Sequence, residues 1–122
     1  MPSGQKSART TGTEYEEKAA AALARSGYQI LERNFRCRQG EIDIIARDRG
    51  YLVFVEVKYR TTEAAGGPRY AVDLKKQRRI SRTALYYLYR NGLSEDTPCR
   101  FDVVVIVPGR ASVLKDAFPF IR

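Results

Sequence analysis

Apolar and polar positions recur along the chain with two periods, and the switches between them mark out its elements. From Thr13 to about Arg25 the Ala-rich, charge-flanked stretch Glu14-Tyr-Glu-Glu-Lys-Ala-Ala-Ala-Ala-Leu-Ala-Arg reads as a helix. Thr13 stands where an N-cap would, Glu16 where a capping box would close, and Gly27 where the helix would stop. Three strand-like runs follow, Tyr28 to Asn34, Cys37 to Arg47 and Tyr51 to Tyr59, with Asp48-Arg49-Gly50 as a hairpin turn between the last two. A second helix is predicted from Asp73 to Asn91, closed by Gly92. Its residues Leu74, Ile80, Ala84, Leu85 and Leu88 fall on one arc, and Lys75, Arg78, Arg79 and Arg82 on another. Arg100 to Val107 is almost continuously apolar after Asp102, which predicts a central or well-covered strand. Pro108-Gly109 turns the chain, and Ser112 to Phe118 predicts a final edge strand. The polar, basic residues 1–11 predict a disordered tail, and Thr61 to Pro68, with Gly66-Gly67-Pro68, a mobile loop. A chain of 122 residues, 43% hydrophobic, then has room for one domain over 12–122 with a modest core.

Two of the strands carry charge where it is costly. Gly40-Glu41-Ile42-Asp43-Ile44-Ile45 and Val53-Phe54-Val55-Glu56-Val57-Lys58 set carboxylates inside β-branched runs, where an ionised acid is expensive to bury without a compensating cation. Alternation places Glu56 and Lys58 on one face and Val53, Val55 and Val57 on the other. If the turn centres on Arg49 and Gly50, Asp43 lies opposite Glu56, with the paired positions about 5.5 Å apart. A slip of one residue would send them to opposite faces. Two acids and one ammonium are what metal-assisted phosphodiester hydrolysis requires. Asp43 and Glu56 would hold Mg²⁺ or Mn²⁺, the Val57 carbonyl would add a hard oxygen ligand, and Lys58 would stabilise charge on the phosphate. The plainer reading is a same-face Glu56 and Lys58 pair on a solvated sheet, with Asp43 its cross-strand neighbour. On the first helix Glu16 shares a face with Ala19, Ala20 and Leu23, whereas Glu14 and Glu17 turn toward solvent with Lys18 and Arg25.

Charge adds a class of partner. With 22 Lys and Arg against 14 Asp and Glu the net charge is +8, which suits a polyanion such as nucleic acid, DNA above all. Arg60 and Arg69, flanking the glycine loop, and the helix stripe Lys75, Arg78, Arg79 and Arg82 are the candidate phosphate contacts; the stripe reads equally well as a solvated helix face. Tyr86, Tyr87 and Tyr89 would stack on unpaired bases or pack beside the core. Cys37 and Cys99 lack zinc-site spacing and there is no histidine, which leaves an oxygen-ligated cation as the metal to expect. No apolar run approaches the roughly 20 residues of a membrane span, and Met1 to Thr11 lacks the apolar centre of a secretory signal. Reduced thiols, a cytoplasmic location and no membrane partner are the expectation.

Taken in order, Gly12-x-x-x-Glu16-x-x-Ala19, Gly27-Tyr28, Asn34-Phe35-Arg36, Gly40-Glu41-Ile42-Asp43, Phe54-Val55-Glu56-Val57-Lys58-Tyr59-Arg60 and Arg100-Phe101-Asp102-Val103-Val104 resemble the YraN family of small bacterial proteins. The resemblance runs from about Gly12 to the C-terminal strand. That uncharacterised family is in turn similar to the PD-(D/E)XK nuclease superfamily, especially archaeal Holliday-junction resolvases. The resemblance implies an α/β, restriction-endonuclease-like fold with an αβββαβ core, a mixed central sheet flanked by helices and the site at the strand pair. It implies Asp43 and Glu56 as metal ligands, Lys58 as the catalytic lysine and Glu16 as the helix acid that completes the site. The superfamily's proline before the aspartate is replaced here by Ile42. Gln77 resembles a helix glutamine that supports the site in some members, although Ser81 replaces the tyrosine expected four residues on. The implied activity is a Mg²⁺- or Mn²⁺-dependent endonuclease acting on DNA, branched or structured DNA included. The alternatives are a nucleic-acid-binding module without efficient chemistry and an interaction domain for an acidic protein. Cutting a four-way junction would imply a two-fold homodimer.

Overall fold

Seven elements follow one another as helix, three strands, helix and two strands: α1 (Ala8–Arg25), β1 (Gln29–Cys37), β2 (Gly40–Asp48), β3 (Tyr51–Tyr59), α2 (Leu74–Arg90), β4 (Cys99–Val107) and β5 (Arg110–Phe118). The computed structural model describes residues 8–61 and 72–122, with side chains from Glu14 onward. The strands form one five-stranded sheet in the order β1-β2-β3-β4-β5. The first three make an antiparallel meander, β4 joins β3 in parallel after the chain has passed through α2, and β5 closes the edge antiparallel to β4. The parallel step requires a crossover, and α2 supplies it.

The two helices cover opposite faces, as the alternation of the strands demands. Ile80, Ala84 and Leu88 of α2 pack on Leu52, Phe54, Phe101 and Val103, while Ala19 and Leu23 of α1 pack on Val53, Val55, Val104 and Ile106. The fold is therefore a mixed α/β sheet flanked by two helices, and β4 is buried from Phe101 to Val107. Continuing the alternation along β3 carries Glu56 and Lys58 to the α2 side. The β2–β3 turn centres on Arg49 and Gly50, with φ of 51° and 88°, the left-handed pair that a two-residue hairpin needs. It sets the register Asp48↔Tyr51 through Ile44↔Val55, the one that brings Asp43 and Glu56 level.

One boundary differs in a way that matters. The first helix begins at Ala8, not at Thr13. Ala8 and Arg9 are strong helix formers and the lone Gly12 costs only about 1 kcal/mol, so nothing stops the helix running back through the expected tail. Glu16 consequently lies in mid-helix, where no capping box exists for it to close. Residues 1–7, most of the glycine loop and Arg69 lie outside the described residues. No described helix is long and apolar enough to cross a membrane.

The short turn after β1 ends at Gly40, which lies directly under α2. A Cβ there would stand 2.9 Å from Arg79 Cγ and 3.0 Å from Thr83 Oγ1, at a φ of +151°. Gly40→Ala is expected to cost about 1–3 kcal/mol, through overpacking and backbone strain together. Urea unfolding followed by circular dichroism would show it as a lowered midpoint at unchanged slope.

Candidate active site

The regular pleat of β2 fails at one residue. Ile42 packs in the α2 core, Ile44 in the α1 core and Ile45 in the α2 core again, so the alternation breaks between Ile42 and Ile44, at Asp43. On β1, Arg33 pairs with Ile44 and Phe35 with Ile42, while Asn34 between them takes a left-handed φ of 56°. On the other side β2 stays paired with β3 only as far as Ile44↔Val55. Where the next ladder bond would form, the Asp43 side chain substitutes for backbone: its Oδ2 accepts the Val57 N–H at 2.8 Å. The carboxylate is thereby fixed at the end of the strand pair, level with Glu56.

Glu56 is buried, and its Oε2 lies 3.0 Å from Lys76 Nζ and 3.6 Å from Lys58 Nζ. Lys58 arrives by alternation on β3. Lys76 arrives from the first turn of α2, which Asp73 fixes by accepting the Lys76 N–H on Oδ1 at 2.8 Å. From the opposite face α1 contributes the half-buried Glu16, held near the end of β3 by the stacking of Tyr15 on Tyr59 at 4.3 Å between ring centroids. Burial pushes the Asp43 carboxyl up to about 7, and the charges of Glu56, Glu16 and Glu41 push the same way against the Val57 N–H. For Lys76, burial works against the charge, yet Glu56 and Asp43 outweigh it and hold its pKa above the ordinary value. Three carboxylates and two ammonium groups thus converge on one end of β3.

The donor set would suit a hard cation that takes few protein ligands and keeps most of its shell as water and substrate oxygen. Among the described residues no group of three or more His, Cys, Asp or Glu side chains is arranged to hold a metal ion by itself. Mg²⁺ is commonly bound by one or two carboxylates, with water and substrate phosphate completing its shell. Asp43, raised by burial and by neighbouring acids with no ion pair to it among the described residues, is the carboxylate that a dication would relieve. Asp43 and Glu56 would hold the ion, with the Val57 carbonyl as the backbone oxygen.

The remaining candidates separate into groups. Gln77 donates Nε2 to the Val72 carbonyl at 3.0 Å, tying the entry of α2. Arg60 is exposed next to the site strand, donates its Nη1 to Tyr59 O at 3.0 Å and so stays close to the end of β3. Lys75, Arg78, Arg79 and Arg82 are all exposed on α2. Tyr87 belongs to the core, edge-on to Phe35 and Phe54, Tyr86 is half-buried beside Phe35, and Tyr89 is exposed. Glu41 points to solvent, 3.9 Å from Arg36. Lys76 is the residue that sequence reasoning passed over in favour of Lys75. Its signal was the spacing Lys76, Ile80, Ala84, Tyr87, which is the sheet-facing stripe of α2 continued to its first turn.

The sequence matches the model of the uncharacterised protein family UPF0102 over residues 15–106. A UPF0102 protein of Lachnoclostridium phytofermentans is 58% identical over 107 residues, covering 88% of this chain and 91% of that one. Another, from Symbiobacterium thermophilum, is 50% identical over 115 residues, covering 90% and 97%. A solved structure titled "Crystal structure of SSO0001" is similar at 15% identity with a TM-score of 0.46, over 93% of this chain and 54% of that chain.

Proposed function

The chain belongs to the UPF0102 family, and we propose that it is a Mg²⁺- or Mn²⁺-dependent phosphodiesterase of the PD-(D/E)XK kind, cutting DNA, with branched or structured DNA as the substrate class. The observation that carries this reading is the half-buried Asp43 carboxylate, level with Glu56 where the β2–β3 ladder stops, with Lys58 and Lys76 on Glu56. A bound divalent ion would polarise the phosphate and lower the pKa of a bound water. Lys58 places its ammonium where negative charge gathers on a phosphate held against Glu56. Lys76 braces Glu56 from α2, and Glu16 adds the third carboxylate from the α1 side. Arg60 and the exposed basic face of α2 supply phosphate contacts that carry no sequence information.

A second reading has its own observation. Glu56 is already matched by two ammonium groups, so the site is partly charge-balanced without a metal, as it would be in a nucleic-acid-binding module that has given up chemistry. Metal binding separates the two. Calorimetric titration with Mn²⁺ should give one site that weakens at least 100-fold in Asp43→Asn/Glu56→Gln, since losses of about 10–100-fold follow even from residues behind the ligands. Equal affinity in that variant would remove the metal site from the account.

A further inference from the structure

Away from the carboxylates, α1 and the start of β5 enclose a groove of about 310 Å³ with Lys18, Arg25 and Arg110 along its walls and Ile106 and Ala111 in its floor. None of its lining residues is acidic. Lys18 and Arg25 lie two turns apart on one line of α1, both exposed, and neither enters an ion pair among the described residues. Arg25 is not needed to cap its own helix. The last carbonyls of α1 are taken by backbone donors, Ser26 N–H to Ala22 and Leu23, Gly27 N–H to Ala24 and Tyr28 N–H to Leu23. Cationic walls over an apolar floor match a phosphate attached to a sugar, and the volume stands at the small end of the roughly 300–1,000 Å³ of ligand pockets.

The groove also sits at the right end of the sheet. Ile106 pairs with Tyr59, the residue after Lys58, and its carbonyl accepts the Arg60 N–H at 2.8 Å. By strand spacing and rise, the Ile106 Cα is about 6 Å from that of Lys58. Lys58 faces α2 and the groove faces α1, so a backbone touching both must bend over the end of the sheet, a few nucleotides separating the two contacts at roughly 3.4 Å of rise each. We propose that this groove is a second phosphate subsite, which takes the backbone of the nucleic acid a few nucleotides from the phosphate held at Lys58. The proposal rests on the nucleic-acid reading of the site, and it extends that reading to residues on the other face of the sheet.

The test uses the full chain in chelator, where binding is read without cleavage. Fluorescence anisotropy with a labelled DNA oligonucleotide would compare wild type, Lys18→Glu/Arg25→Glu and a charge-matched control, Arg49→Glu/Arg90→Glu, each first shown by circular dichroism to be folded. The groove variant should bind at least tenfold more weakly, with the slope of log affinity against log salt reduced by about 1–2, and the control should change less than threefold. Equal losses in both variants, or none in either, would overturn the subsite. Inorganic phosphate and a mononucleotide, titrated as competitors, separate the sources: displacement of the oligonucleotide only at far higher concentration supports a backbone site, and displacement at comparable concentration overturns it. Weakened binding in the groove variant with no cleavage by wild type in Mg²⁺ would leave the subsite standing and remove the hydrolase; cleavage by wild type with unweakened binding in the groove variant would do the reverse.

Discussion

Arg100→Met is expected to remove about 3–5 kcal/mol of stability, a large part of the roughly 5–15 kcal/mol that a small domain has. Arg100 anchors a buried network at the end of the sheet away from Glu56. Its Nε donates to Asp102 Oδ1 at 2.9 Å, and its Nη2 lies 2.9 Å from both Asp102 Oδ2 and Asp48 Oδ2. Tyr28 donates its hydroxyl to Asp102 Oδ2 at 2.6 Å, and Asp102 Oδ1 also accepts the Asp116 N–H at 2.9 Å where β5 bulges away from β4. Both aspartates are buried, Asp102 completely. The Arg100 guanidinium holds Asp48 below the ordinary carboxylate range, and burial together with Asp102 drives the Tyr28 hydroxyl well above its own. Methionine keeps the length of the stem and takes away the guanidinium, leaving two carboxylates with Lys115, 3.4 Å from Asp48, as the remaining cation paired to them among the described residues. Urea unfolding at pH 7 reads the loss, and a change below 1 kcal/mol would mean that water or Lys115 takes over.

The second large effect runs in two directions at once. Asp43→Asn is expected to cut metal-dependent activity at least 100-fold and at the same time to stabilise the metal-free protein at pH 8. Asparagine keeps an oxygen for the Val57 N–H, so geometry is conserved and charge is not. In the folded chain burial, with the neighbouring acids, pushes the Asp43 carboxyl up to about 7 from 3.8 for the free group. The folded state therefore holds that proton more tightly than the unfolded one, and stability falls as pH rises from about 4 to 7. Three pH units at about 1.4 kcal/mol each make the penalty on the order of 4 kcal/mol above pH 7. The asparagine variant has no such proton, so chemical denaturation in chelator should find it more stable than wild type at pH 8 and level with it near pH 4. A variant less stable than wild type at pH 8 would show that Asp43 serves the fold and not the site. An acid that weakens its own fold is the mark of a residue held for function.

The two aspartates explain why some of this was legible in the sequence. Each sits in an apolar strand and accepts a backbone N–H where a ladder is interrupted, Asp102 from Asp116 and Asp43 from Val57. Asp102 has Arg100 two residues before it, a same-face pair that alternation makes readable. Asp43 has no such neighbour, and its level placement with Glu56 followed from the Arg49-Gly50 turn alone. The break in the β2 pleat was not readable, because nothing in Ile42-Asp43-Ile44 distinguishes a strand that alternates from one that twists at its middle. Glu16 is legible from helical periodicity, whereas its capping role fails because α1 starts at Ala8 and leaves Glu16 in mid-helix. Lys76 was hidden by its charge: a lysine on the apolar arc of a helix is passed over until a buried carboxylate, Glu56, is found opposite it.

Cleavage assays read directly whether these groups act together on a phosphodiester. Labelled four-way-junction, flap, duplex and single-stranded DNA would be incubated with excess protein, in Mg²⁺, Mn²⁺ or chelator, with wild type and folded Lys58→Ala side by side. Metal-dependent cleavage of at least one substrate, slowed at least 100-fold in Lys58→Ala, is the predicted result. Cleavage that Lys58→Ala leaves intact, or tight binding of every substrate with no cut in any metal, would contradict it.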